Sequence, residues 1–386
     1  MSQAQPQIAV SLRGLWRRVY AAGAVLALLA TLAIPMTHPF LLRLEHSTSD
    51  LRIRTLAPRL ATPHPSVAMV TITDETFPAL GVQRTQPMNR AMLAEVLRRL
   101  DGVGACAIGI DIFFATPTDN DAKLMSQLRA MRTPVVLGVA DSRISMTPDR
   151  RAFQARFLRE AALPTAYINL RMEPEDDTAR MFPKAADDGL YKESLALRLA
   201  RYLRPNAPLP EGRRIAWLRK PLAAETFLTV PAHTLPADVR EQPPSCGSSG
   251  AGLAGKVILL GADLPNLDRH RTPFSPQLAE PHSGLFIHAQ MTADIVDGDA
   301  REIRELTPLQ STLLQAVLAF AGLVLGWRFS ASSIVNSLGW TAGTGLLLAL
   351  GVMCFVVWNL VLPFMVALFT WFFAVTSGRS LRALRL

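Results

Sequence analysis

Apolar positions in this chain follow two regimes. Long unbroken runs lie at Val19–Ile34, Pro308–Trp327, Ile334–Trp358 and Leu360–Val375, none with a charged residue in its middle. Runs of this kind suit helices that cross a bilayer. The first continues through Phe40, Leu41 and Leu42, past Pro35, His38 and Pro39, so its span is set at 19–42. The others are set at 308–327, 334–358 and 360–377. Residues 1–18 and 378–386 are left as short tails, and 43–306 as a large domain on one side of the membrane.

Inside 43–306 the pattern shortens. Ser66–Thr73, Ala105–Ile110, Pro134–Ala140 and Lys256–Gly261 are continuous apolar or β-branched runs, as strands buried on both faces read. Between them lie amphipathic stretches. Asn89 precedes RAMLAEVLRRLD, which Gly102 stops, a good N-cap followed by a good terminator. Further helices are expected from Asp119 to near Met131, over Ser194–Leu203 and over Leu285–Val296. The segment Thr147–Pro244 is Pro-rich and weakly patterned, with strands expected near Thr165–Leu170 and Ile215–Leu218. Pro243–Gly255 reads as a linker. Strands alternating with helices predict an α/β domain with a mostly parallel, helix-covered sheet, plus four transmembrane helices, one N-terminal and three C-terminal.

Charge sets the orientation. Arg13, Arg17 and Arg18 precede the first span, Arg328 follows the second, and Arg379, Arg382 and Arg385 follow the fourth; no Asp or Glu occurs from Leu306 onward. Arg-rich short segments stay in the cytoplasm. Both termini are therefore expected inside a bacterial inner membrane, with the large domain in the periplasm. The net charge of +9 then reflects topology and an ordinary basic surface. No Lys/Arg run interleaved with aromatics marks a nucleic-acid binder. A removed signal peptide also begins with positive charge and an apolar run, but no clean A-x-A site precedes Pro35, which favours an uncleaved anchor. Gly322/Gly326 and Gly339/Gly343 form G-x-x-x-G pairs suited to close helix packing. A one-plus-three layout without repeats or buried charges argues against a transporter.

Chemistry-bearing motifs are sparse. Cys354 lies in a span, while Cys106 and Cys246 fall on the oxidising side; a disulfide between them is one option that spacing alone leaves open. There is no Cys-x-x-Cys, no H-E-x-x-H around His282 or His288, no P-loop near Gly247 and Gly250, and no nucleophile elbow. No metal or cofactor is expected. Carboxylates stand out instead, because Asp74 and Asp111 directly follow strands and Asp263 follows the later one in much the same way. In open parallel sheets that rim forms the binding crevice. If the Asp74 and Asp111 strands are neighbours, their carboxylates lie close and suit a polar or cationic ligand. The alternative is that each is an ordinary cap of the loop or helix that follows. Asp268–Arg271 is either an anion or metal site or a solvated turn.

The block resembles the type-2 CHASE domain, an extracytoplasmic sensory module of bacterial receptors. The resemblance rests on DLRIRTLAPR from Asp50, VAMVTITDETFPALG, AEVLRRLDGVGACAIGIDIFFATP, DDGLYKESLALRLAR, GKVILLGADLPNLDRHRTPFSP and GLFIHAQMTADIVDG, in that order. It covers about residues 45–306. The Pro-Trp-Pro-Arg-like stretch of the family is QPMNR here, keeping only Arg90, and Thr116 stands where an acidic residue often precedes Pro117. Asp74, Arg90, Asp111, Asp121, Asp268 and Thr272 match family positions and are candidate ligand contacts; no catalytic residue is carried over. The resemblance implies a sensor of unknown stimulus. Since about ten residues follow the last span, output is expected from a separate partner, a cyclase, kinase or other regulator, reached through the spans; a homodimer fits by analogy with receptors. The alternatives are an envelope scaffold without a small ligand and, weakest, a metal-assisted hydrolase.

Overall fold

The computed structural model describes residues 5–33, 39–237, 242–247, 252–275, 281–298, 301–329 and 333–384. It divides into two compact units. One comprises the N-terminal segment through Leu56 together with Arg304 onward, the other Ala57–Ile303. Helices α1 (Gln5–Ala33) and α2 (Pro39–Leu56) come first. The Ala57–Ile303 unit follows with β1 (Val67–Ile72), α3 (Thr76–Ala79), α4 (Arg90–Asp101), β2 (Ala107–Asp111), α5 (Asp121–Ala130), β3 (Val135–Val139) and α6 (Pro148–Ala161). It continues with β4 (Thr165–Tyr167), β5 (Arg171–Glu173), β6 (Thr178–Met181), α7 (Leu195–Leu203), β7 (Leu228–Pro231), β8 (Val257–Ala262), β9 (Arg269–His270), β10 (His282–Ser283) and α8 (Gly284–Asp297). The chain then returns through β11 (Arg304–Glu305), α9 (Pro308–Arg328), α10 (Ser333–Trp358), β12 (Leu360–Val361) and α11 (Phe364–Ala383).

Six strands form one sheet in the order β4-β3-β2-β8-β1-β7, and every pairing is parallel. All residues of β1 and β3 are buried, because helices cover both faces and alternate side chains enter two separate cores. Val70, Ile72, Ile108, Ile110 and Leu137 pack with Leu93 and Leu97 of α4, Leu124 of α5 and Phe157 of α6. Val67, Met69, Ala107, Val136 and Leu259 pack on the opposite face with Leu199 of α7 and Leu285 and Ala289 of α8. Gly109 of β2 leaves room for the Leu199 side chain, which a Cβ would strike. Helix starts are fixed by capping oxygens: Asn89 accepts from the Ala91 and Met92 amides, Ser194 from Leu197 and Ser283 from Phe286. Each satisfies donors that the first turn leaves free.

Two expectations for the middle of the block need correction. Ile215–Leu218 is not a strand. Its backbone is held by α8 side chains: Asp294 accepts from the Ala216 amide at 2.8 Å, and Gln290 both accepts from Leu218 N (3.0 Å) and donates to Leu218 O (3.1 Å). The weakly patterned stretch also holds helix α6, capped by Thr147 with Pro148 in its first turn; its charged residues mask a periodicity confined to Phe153, Phe157, Leu158 and Ala161.

In the other unit, Pro308–Arg328, Ser337–Trp358 and Phe364–Ala383 are long and apolar enough to cross a membrane. Helix α1 is not among them. The expected first span, 19–42, includes residues 34–38, which lie outside the described residues, and its end falls in α2, a helix rich in charged residues. The last span begins at Phe364, because Leu360 and Val361 pair with Arg304 and Glu305 as strands. Helices α9 and α11 approach closely through glycine: Gly322 meets Ala374, Gly326 the Val375 carbonyl, and Gly378 the Leu323 carbonyl, leaving no space for a Cβ. Gly339 lies against Leu325 and Gly343 against the Trp371 ring. The G-x-x-x-G spacing thus serves packing within one chain.

Candidate functional site

The Ala57–Ile303 unit carries a cleft of about 940 Å³ at the carboxyl ends of its strands. From β1 the chain moves to β2, β3 and β4 on one side and later places β7 on the other. A reversal of this kind opens a crevice at the strand ends. Asp111, the last residue of β2, lines the floor with only 7% of its side chain exposed. Asp268, from the loop between β8 and β9, and His288, from the second turn of α8, line the same cleft.

The electrostatics of these three groups differ. Burial pushes the Asp111 carboxyl well above the usual carboxylate range, and the nearby Asp268 charge adds to the rise. Burial also acts to raise Asp268, but His270, hydrogen-bonded to it at 2.8 Å, together with His288 holds it below its ordinary value. Asp268 has φ 52°, and its carboxylate occupies the space a Cβ on Gly284 would need. His288 Nε2 lies 3.1 Å from the Ile168 carbonyl and 3.8 Å from Asp111 Oδ1. Donation to that carbonyl makes Nδ1 a bare acceptor, and this buried atom has no partner. Burial depresses the His288 imidazole to about 4, so it is neutral at pH 7.

The other expected residues divide. Asp74 and Asp111 are not on neighbouring strands, since β8 lies between β1 and β2. Asp74 is exposed and ion-pairs with Arg84 at 2.9 Å. Asp263 pairs with Arg269 at 2.8 Å. Arg90 lines the cleft but acts as a brace. It is 1% exposed, bonds Asp121 at 3.3 Å and the Met88 and Thr116 carbonyls, and lies 4.6 Å from the Phe114 ring centroid. Asp121 also accepts from the Thr118 amide and hydroxyl, which fixes the turn before α5. Thr272 is buried in a turn, within hydrogen-bond distance of His282 Nδ1 (3.1 Å) and accepting from the Phe274 amide. Of the six candidates, the buried Asp111 forms the floor and the half-exposed Asp268 lines the cleft beside it, Arg90 and Asp121 support it, and Asp74 and Thr272 do not line it. His288 belongs to no metal-binding motif, so motif spacing does not point to it. Its signal was its place in GLFIHAQMTADIVD, a helix too apolar all round to be exposed.

Among the described residues no group of three or more His, Cys, Asp or Glu side chains could hold a metal ion. The fold and cleft define an α/β module with a ligand-sized crevice, in a chain that also carries apolar membrane-length helices. Residues 23–327 match the family model of the CHASE2 domain, and the chain belongs to this family of sensory domains. No curated protein and no solved structure matches it.

Proposed function

We propose that this chain is an inner-membrane sensory protein whose CHASE2 unit faces the periplasm and reads a stimulus in the strand-end cleft. In this reading α1 supplies a fourth span, both termini are cytoplasmic, and the output lies on a separate protein. The observation that carries it is a cleft with a polar floor in a domain of a sensory family. The arginine distribution supports the orientation.

A relay to the spans has a physical basis. The chain leaves the sensory unit at Ile303 and enters β11, which pairs in parallel with β12. Strand β12 leads directly into α11, whose first amides, Phe364 and Met365, donate to Glu45 of α2 at 2.9 and 2.8 Å. Arg52 bonds both Glu45 and the Leu362 carbonyl. A shift in the segment after Ile303 therefore pulls on hydrogen bonds that position α11. The tight α9–α11 contact then favours movement of the pair as a rigid body.

The test is a crosslinked pull-down of the full-length chain from native membranes, with partners identified by mass spectrometry. A stoichiometric cyclase, kinase or other regulator is expected. Recovery of envelope or secretion proteins alone would replace the sensory reading with a scaffold.

A further inference from the structure

We infer that the cleft takes a small organic molecule by its ammonium group, held among Asp111, Asp268 and His288. This rests on the reading of the cleft as the sensory site and names the chemistry it recognises. The floor has an excess of acceptors. Among the described residues no hydrogen bond reaches the Asp111 carboxyl, and the neutral His288 imidazole stands 3.8 Å away, beyond hydrogen-bond length. The carboxyl is more than nine-tenths buried yet lines the cavity. His288 adds a buried acceptor without a donor. Asp268, from a different element, faces Asp111 closely enough to disfavour its ionisation. The Asp111 carboxyl and the bare imidazole nitrogen lack donors, and Asp268, bonded by His270, keeps further lone pairs; an ammonium group brings three donors.

The rest of the cleft suits a carbon body and disfavours an anion. Phe113, Ile144, Leu170 and Met172 line it. Of the four arginines along its wall, Arg84 is paired with Asp74, Arg90 with Asp121 and Arg143 with Asp141, leaving Arg150 as the remaining positive charge. A cavity of about 940 Å³ is in the range of small-molecule sites.

Occupancy is linked to a proton. Burial and the Asp268 charge raise the Asp111 carboxyl, which favours its protonated form. An arriving ammonium favours the carboxylate, so the proton leaves as the ligand binds. The facing titratable groups are Asp268 and His270 from the β8–β9 segment and His288 from α8, and His288 stays neutral above about pH 4.

The experiment is calorimetric titration of the full-length chain in lipid nanodiscs with butylammonium chloride, with 1-butanol and magnesium chloride as controls. Butylammonium should bind at millimolar concentration and 1-butanol should not. Affinity should rise with pH, because ammonium binding favours release of a proton from the raised Asp111 carboxyl. Asp111→Asn, which keeps the side-chain shape, should weaken binding at least tenfold and flatten the pH dependence; Asp268→Asn should weaken it while leaving a pH dependence. Absence of butylammonium binding, equal binding of 1-butanol, binding unaffected by Asp111→Asn, or magnesium binding with the same Asp111 dependence would each overturn the proposal. A failed titration alongside a recovered regulator removes the ammonium and spares the sensory reading; a successful titration with no regulator does the reverse.

Discussion

At the scale of residues, α8 carries two buried ionisable groups with opposite pH behaviour. His288 is depressed to about 4 by burial. Its contribution to stability is complete above its unfolded value near 6.5 and is lost as pH falls toward 4. Asp294, fully buried and paired with Arg213 at 3.0 Å, is raised to about 6 by burial, which outweighs the pull of Arg213. Its contribution is complete below about 3.8 and is lost as pH rises through 6. Each slope approaches about 1.4 kcal/mol per pH unit where one proton is at stake. Relative to the wild type, His288→Gln should therefore gain stability as pH falls from 6.5 to 4, and Asp294→Asn as pH rises from 4 to 6. Urea midpoints measured across that range check both signs; parallel curves for either variant would contradict the assignment. The charged residues were visible in the sequence, but their environments were not. Asp111 and Asp268 could be picked out from strand ends and motif positions. The exposure of Asp74 and the burial of His288 depend on which strand and helix lie beside them, which no local pattern encodes.

At the scale of elements, the start of α11 depends on a side chain more than three hundred positions earlier. Glu45 accepts from two first-turn amides that would otherwise lack partners in a water-poor setting. Glu45→Ala should cost about 1–2 kcal/mol, in the range of lost caps, and should speed hydrogen exchange at Phe364 and Met365 while leaving α9 amides unchanged. Glu45→Gln, which keeps an acceptor oxygen, should lie between. Unchanged exchange in the alanine variant would mean that α11 is positioned by packing alone. Elements were also where the sequence was most readable. The runs at Ser66–Thr73, Ala105–Ile110, Pro134–Ala140 and Lys256–Gly261 correspond to β1, β2, β3 and β8 within a residue or two, because doubly covered strands must be apolar throughout. Ile215–Leu218 misled because burial without strand pairing gives the same apolar signature.

At the scale of the whole molecule, a covalent tie spans much of the sensory unit. Cys106, just before β2, and Cys246, in the segment before β8, form a disulfide across 140 positions. The sequence left that pairing open, since it contains no measure of Cα separation. A closed loop of this length restricts the unfolded chain substantially. Replacing both cysteines by alanine should lower the unfolding free energy by about 2–5 kcal/mol. Reductant should destabilise the wild type to the same extent and leave the double variant unaffected. The one-plus-three layout was expected from hydropathy, and three of its four helices have the length and composition of spans.

The central position of β8 has a consequence for biogenesis. Val257 pairs with both Val67 and Ala107, so the strand that joins the two halves of the sheet is the last of the six to be synthesised. Until it arrives, β1 and β2 each have a bare edge, the kind of surface that seeks strands from other molecules. Contacts so distant along the chain also form slowly. The interval between synthesis of Val67 and docking of Val257 is therefore when this protein is most exposed to aggregation and proteolysis, and when a holdase would protect it most.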